Sequence, residues 1–331
     1  MIKELLIKDA FSMDEHKEEL LQETEAAENP APKQKGRGMS RVTYYALIGI
    51  FTAVFLLCGV YLGGYFYETG STEKEYDALA SIYQQGIQNQ NSTPSTVPTR
   101  IPGNVESSGS AETQPPVILP ELQPIYELND DLVGYLNFPN SSLNLRYPVL
   151  QSPEDDDFYL SHDFYGAESI VGCPYVPAGC DVFEPSDNVV IYGHNLRTGG
   201  MFNKLTYYRN KSYWEKNQTF SFDTLYERHT YQIFAVFKTA AKQYKDDGTP
   251  WGYPYHRLND FATKEAFDKF IADVKGAAFT SGEYQGWTFY DTGITPQYGD
   301  KLLCLSTCEY TMRNPDGTIN GRFVIMAVRV D

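Results

Sequence analysis

Cysteine is scarce in this chain: Cys58, Cys173, Cys180, Cys304 and Cys308 in 331 residues. So few thiols exclude a disulfide-built scaffold. Cys304 and Cys308 cannot pair within one strand, because four residues of strand span about 13 Å and a disulfide needs Cα atoms within roughly 7 Å. Cys173 and Cys180 could pair across a loop or stand as two small buried thiols. Basic charge is also in short supply. Residues 1–67 hold 7 basic and 9 acidic side chains and residues 68–331 hold 20 and 34, so the net charge of −16 falls almost wholly on the second part. An acidic domain of this kind lacks the basic footprint that nucleic acid requires. Long apolar runs are absent but for one, within residues 42–67, which carry no charge.

That run holds more than 20 residues, enough at 1.5 Å each to cross about 30 Å of hydrocarbon. Tyr44 and Tyr45 at one end, and Tyr65, Phe66 and Tyr67 at the other, fit interfacial aromatic belts. A cleaved signal peptide fits less well, since the run is too long and no small-x-small site follows it. Lys33, Lys35, Arg37 and Arg41 precede it, while Glu68, Glu73, Lys74 and Glu75 follow closely. The basic flank predicts a cytoplasmic N-terminus and an extracellular C-terminal part in a single-pass membrane protein. Residues 1–41 read as a solvated cytoplasmic tail, 42–67 as the transmembrane helix, and 68–117 as a juxtamembrane helix and flexible linker. Residues 86–117 are rich in Gln, Asn, Ser, Thr and Pro, and should be dispensable for folding. Residues 118–331 read as the folded domain.

Within that domain, Glu121–Asn129 predicts a short helix. Strand-like runs follow at Val133–Phe138, Leu145–Leu150, Cys173–Val176, Asn188–Tyr192, Thr230–Thr239, Trp287–Tyr290, Lys301–Thr307 and Arg322–Val330. Turn signals separate most of them, as in a mainly β barrel or sandwich. One amphipathic helix interrupts the series: Thr263 is a good N-cap, and Phe267, Phe270, Ile271 and Val274 fall at i, i+3, i+4, i+7.

Two stretches carry chemistry. The run Leu302–Thr307 predicts a buried strand that delivers Cys308 to its exposed end, with Arg322 beside it at the start of the next strand. A neighbouring cation favours thiolate. His194 ends the apolar strand Val189–Tyr192 through Gly193, which permits a sharp turn. His16, His162, His229 and His256 sit in tail, polar or turn-like contexts. Zinc binding fails on count, because one His and one Cys fall short of the three or four ligands required.

The ordered set Tyr192-Gly193-His194-Asn195, Leu305-Ser306-Thr307-Cys308 and Arg322-Phe323 resembles the sortase family over residues 120–331. The helix bearing Phe267, the N-terminal helix and the runs Tyr147–Gln151, Tyr159–Phe164 and Gly199–Leu205 resemble its class B members. The resemblance implies a closed β-barrel of about eight strands, with an N-terminal helix and a helix inserted before the Cys-bearing strand. It implies a membrane-anchored cysteine transpeptidase without cofactor, acting as a monomer. Such an enzyme cleaves the C-terminal sorting signal of a secreted protein after Thr, forms a thioester on Cys308, and transfers the acyl group to a peptidoglycan-precursor amine. His194 would protonate the leaving amide nitrogen and Arg322 would stabilise the oxyanion. Thr307, Ser306 and Asn195 would contact or support substrate. Two departures stand out: Cys304 occupies a strand position more often Thr or Val-like, and Lys238–Asp260 is individual in its Tyr, Trp and Pro content. A cysteine peptidase hydrolysing the same signal shares every residue, and a catalytically silent wall-binding module is the other alternative.

Overall fold

The computed structural model describes residues 39–92, 116–139 and 142–331. The tail, apart from residues 39–41, and residues 93–115 of the linker lie outside the described residues. The chain divides into two compact units, residues 1–62 and Gly63–Asp331.

Helix α1, Arg41–Ser92, begins in the first unit and ends in the second. In the first unit its apolar side chains are exposed all round, Phe51 at 71% and Val60 at 76%. A helix apolar on every face needs an apolar surrounding. It is long and apolar enough to cross a membrane.

In the second unit α1 has a stripe instead. Thr69, Thr72, Tyr76, Leu79, Ala80 and Tyr83 are buried at helical spacing. They pack on a cluster that includes Leu122, Ile125, Leu132, Tyr135, Leu150, Tyr159 and Val171. The Tyr83 ring stacks on Tyr135 with centroids 4.0 Å apart. This corrects the reading of residues 68–117 as a segment apart from the domain. The helix runs on to Ser92, and its Tyr76, Leu79 and Tyr83 belong to the domain's own core.

The sheet is built from β1 (Leu132–Asn137), β2 (Arg146–Leu150), β3 (Asn188–Tyr192), β4 (Thr219–Thr224), β5 (Thr230–Ala240), β6 (Gly286–Thr288), β7 (Leu302–Arg313) and β8 (Ile319–Arg329). Its order is β2-β1-β4-β5-β8-β7-β3, with β6 also on β5. Every pair is antiparallel except β3 with β7. Tyr175 bridges the two outer strands, pairing with Leu150 at the end of β2 and with Tyr192 at the end of β3. Closure therefore rests on isolated bridges where the sequence suggests a strand over Cys173–Val176. Helix α2 (Gln123–Tyr126) is shorter than predicted. Strand β4, unpredicted, alternates Phe220 and Phe222 inward.

Helices α3 (Lys211–Trp214), α4 (Lys264–Val274) and α5 (Ala277–Thr280) lie outside the sheet. The Thr263 hydroxyl caps α4 by accepting from the Ala266 N–H at 3.2 Å. Phe267, Phe270, Ile271 and Val274 are buried in the main core with Phe237, Leu303 and Phe323. The inserted helix thus precedes β7, as expected. Cys173 and Cys180 are free thiols.

Candidate active site

Parallel pairing decides what meets at the end of the barrel. The β3–β7 register runs from Asn188 opposite Leu302 to Tyr192 opposite Ser306. Two residues further along each chain stand His194 and Cys308. Antiparallel pairing supplies the third member, because Cys308 lies directly across from Arg322 in the β7–β8 ladder. Arg322 Nη1 lies 3.9 Å from Cys308 Sγ and also donates to the Gly321 carbonyl at 3.1 Å. All three side chains line one cleft of about 690 Å³, with Tyr192, Tyr255, His256 and Arg257 among the other walls and Asp156 and Asp157 at its rim.

Two expectations about the strands change. Strand β7 does not end at Cys308 but continues to Arg313, and Arg322 is the fourth residue of β8, not its first. The cause is Glu309, 1% exposed, whose carboxylate pairs with Arg209 at 3.1 Å and accepts from the Thr311 and Met312 N–H groups. With that carboxylate satisfied, a polar segment can remain in the ladder as an irregular stretch between Glu309 and Arg313.

His194 reaches the cleft because Gly193 lets the chain pass against Phe202. A Cβ at Gly193 would meet that ring at 2.8 Å. The imidazole Nε2 bonds the Leu160 carbonyl at 2.7 Å. A carbonyl oxygen only accepts, so Nε2 carries hydrogen and Nδ1 is the nitrogen left for proton transfer.

The three supporting residues lie here too, with their polar groups engaged internally. Thr307, 2% exposed, donates to the Gly193 carbonyl at 2.6 Å. Ser306 is fully buried and its hydroxyl shares a 2.7 Å hydrogen bond with Tyr255 OH. Asn195 Nδ2 donates to the Cys308 carbonyl at 2.7 Å, and Asn203 Nδ2 donates to Asn195 Oδ1 at 2.7 Å. These groups fix the loop and strand around the thiol. Sequence reasoning missed Leu160, Asn203, Arg209 and Glu309 as individuals, although the first two fall inside the runs Tyr159–Phe164 and Gly199–Leu205.

Burial separates the other thiols from Cys308. Cys304 is completely buried under β8, and desolvation drives its thiol well above the ordinary range. Desolvation likewise raises Cys173 and Cys180. His256, on the cleft wall, has its pKa lowered to about 4 by burial, with Arg257 and Arg322 adding repulsion.

A family model for the Sortase domain matches residues 142–330. Sortase B of Listeria monocytogenes is 24% identical over 260 residues, covering 78% of this chain and 87% of the relative. Sortase B of Staphylococcus aureus is 27% identical over 192 residues, covering 58% and 69%. Among solved structures, the Staphylococcus aureus sortase B–substrate complex superposes with a TM-score of 0.59 at 21% identity, covering 80% of this chain and 99% of that one. A Bacillus anthracis protein similar to sortase B gives 0.56 at 20% identity, covering 78% and 96%.

Proposed function

The chain belongs to the sortase family, most like its class B members, and from that premise we propose a membrane-anchored transpeptidase acting through Cys308, His194 and Arg322. The observation that carries this reading is the direct pairing of Cys308 with Arg322 in the cleft that also holds His194. The Cys308 thiolate attacks the carbonyl of a Thr in a sorting-signal peptide. Arg322 donates N–H groups to the oxyanion that develops. His194, as imidazolium, gives a proton from Nδ1 to the departing amide nitrogen, the C–N bond breaks, and a thioester remains on Cys308. An amine of a wall precursor then attacks the thioester, its proton returns to His194 Nδ1, the thiolate leaves, and a new amide bond forms. Deacylation by water instead would make the enzyme a peptidase.

The helix Arg41–Ser92 supports anchoring, and the basic residues before it support a cytoplasmic N-terminus. Protease added to intact, wall-stripped cells should then degrade the domain.

Full-length protein in detergent micelles, incubated with sorting-signal peptides and candidate amines, tests the chemistry by mass spectrometry. A thioester on Cys308 and an amine-ligated product are expected. Cys308→Ala should abolish both, while Cys304→Ala retains them. An adduct on Cys304, or hydrolysis alone with every amine, would overturn the assignment.

A further inference from the structure

The helix that carries the apolar span also grips the segment that packs against His194. Glu68 Oε1 accepts from the Ile170 N–H at 2.8 Å and from the Ser169 hydroxyl at 3.2 Å. About two turns later, Tyr76 OH donates to the Gly172 carbonyl at 2.7 Å. That bond is buried, and Tyr76 is 4% exposed. Burial pushes the Tyr76 hydroxyl well above its usual range, so it stays protonated and available as a donor.

Gly172 is the point of transmission. Its φ of +63° lies in the left-handed region, and a Cβ there would stand 2.7 Å from the Tyr159 carbonyl, 2.8 Å from the Leu160 carbonyl and 3.2 Å from His194 Cδ2. Gly172 therefore lies close beside the imidazole and beside the Leu160 carbonyl that fixes its Nε2, with no room for a side chain between them. Cys173 N–H, donating to the Tyr159 carbonyl at 2.9 Å, ties the two backbone stretches together.

We propose that Tyr76, aided by Glu68, is a positioning residue for His194, so that α1 sets the imidazole of the active site through residues 169–172. This rests on the role given to His194 above. Losing the Tyr76 hydroxyl leaves the Gly172 carbonyl without its donor in an apolar pocket. The peptide then turns to find another partner, and the surface against His194 moves with it. A displacement of an ångström in a proton donor can cost up to about 10²-fold in rate.

Tyr76→Phe is the test, because it removes one oxygen and leaves the ring on Tyr147, 5.2 Å between centroids. Its control is Tyr83→Phe. That change also removes a buried hydroxyl bond from α1, the 2.6 Å bond to Asp223, but away from residues 169–172. In the full-length protein, Tyr76→Phe should lower kcat for transpeptidation by about 10-fold or more with little change in peptide KM. It should alter the pH profile of kcat and move the His194 imidazole NMR signals. Tyr83→Phe should lower Tm while leaving kcat, the pH profile and those signals unchanged. Glu68→Ala, at a partly exposed position, should move the His194 signals in the same direction as Tyr76→Phe and by less. Equal effects of the two Tyr variants on kcat and pH profile would overturn the proposal, as would unmoved His194 signals in both Tyr76→Phe and Glu68→Ala. If the parent protein transfers no acyl group, the functional reading above fails instead, and the NMR arm still decides whether α1 sets His194.

Discussion

Asn195 holds the backbone of Cys308. Its Nδ2 donates to the Cys308 carbonyl at 2.7 Å, across 113 residues of sequence. The Asn195 carbonyl in turn accepts from Tyr310 OH, whose ring lies under Arg197. The residue beside His194 is therefore bonded to β7 on both sides of Glu309, and the two halves of the cleft share one frame.

Asn195→Ala should loosen that frame. It leaves the Cys308 carbonyl and Asn203 without partners in a site where Asn195 is 4% exposed. A buried polar group stranded this way costs about 1–3 kcal/mol. Thermal melting should show that loss, and kcat/KM should drop by about 10-fold or more as Cys308 leaves its position. Unchanged activity would mean that the strand ladder alone holds the thiol.

Arg322→Lys separates charge from geometry. A lysine keeps the positive charge but not the planar fork of donors. Arg322 already spends Nη1 on the Gly321 carbonyl, a bond that orients the guanidinium relative to Cys308. We expect kcat/KM to fall by about 10²-fold or more, the scale of one lost oxyanion donor. The rate at which iodoacetamide alkylates Cys308 should change little. A fall in that rate as large as the fall in activity would make charge the main role.

Removing α1 should damage the domain. A protein beginning at residue 118 loses Tyr76, Leu79 and Tyr83 from a cluster that includes Tyr135, Leu150 and Tyr159. Burial of each large side chain is worth about 1.5–3 kcal/mol, so the total approaches the whole margin of a typical domain. Residues 63–331 should unfold cooperatively in urea, whereas residues 118–331 should bind a hydrophobic dye and lose a sharp transition. A sharp transition in the shorter protein would return residues 68–117 to the status of a spacer.

Acid should weaken the fold through His256. Its folded pKa is about 4, below the 6.5 expected of the unfolded chain. The unfolded state therefore binds more protons between those values, and stability falls as pH drops from about 6.5 to 4. The stabilisation is full above about 6.5, and the loss is on the order of 2 kcal/mol once partial solvent access is allowed for. His256→Gln should flatten the stability profile across that window. A profile identical to the parent's would show that the imidazole is solvated.

Periodicity and turn chemistry made much of this legible. The apolar run ending at Gly193 marked β3 to the residue, and Thr263 with Phe267, Phe270, Ile271 and Val274 marked α4. What stayed hidden depends on partners distant in sequence. Glu309 reads as the solvated end of a strand until Arg209 is placed beside it. The stripe of Tyr76, Leu79 and Tyr83 runs straight into a stretch rich in Gln and Asn, and only the packing opposite it shows which face is buried. Ser306 and Thr307 look like substrate contacts because they precede the nucleophile, yet Tyr255 and Gly193 take their hydroxyls.

Strand β8 follows both β5 and β7 in the sequence, yet it lies between them in the sheet. Synthesis therefore delivers the central strand after both of its neighbours. Until it arrives, β5 and β7 each present an unpaired edge, the kind of surface on which growing chains stick to one another. The same delay keeps Cys308 without its guanidinium, which β8 carries. A chain without β8 thus holds Cys308 without Arg322, and the pairing of these two residues and the joining of β5 to β7 come in one late event.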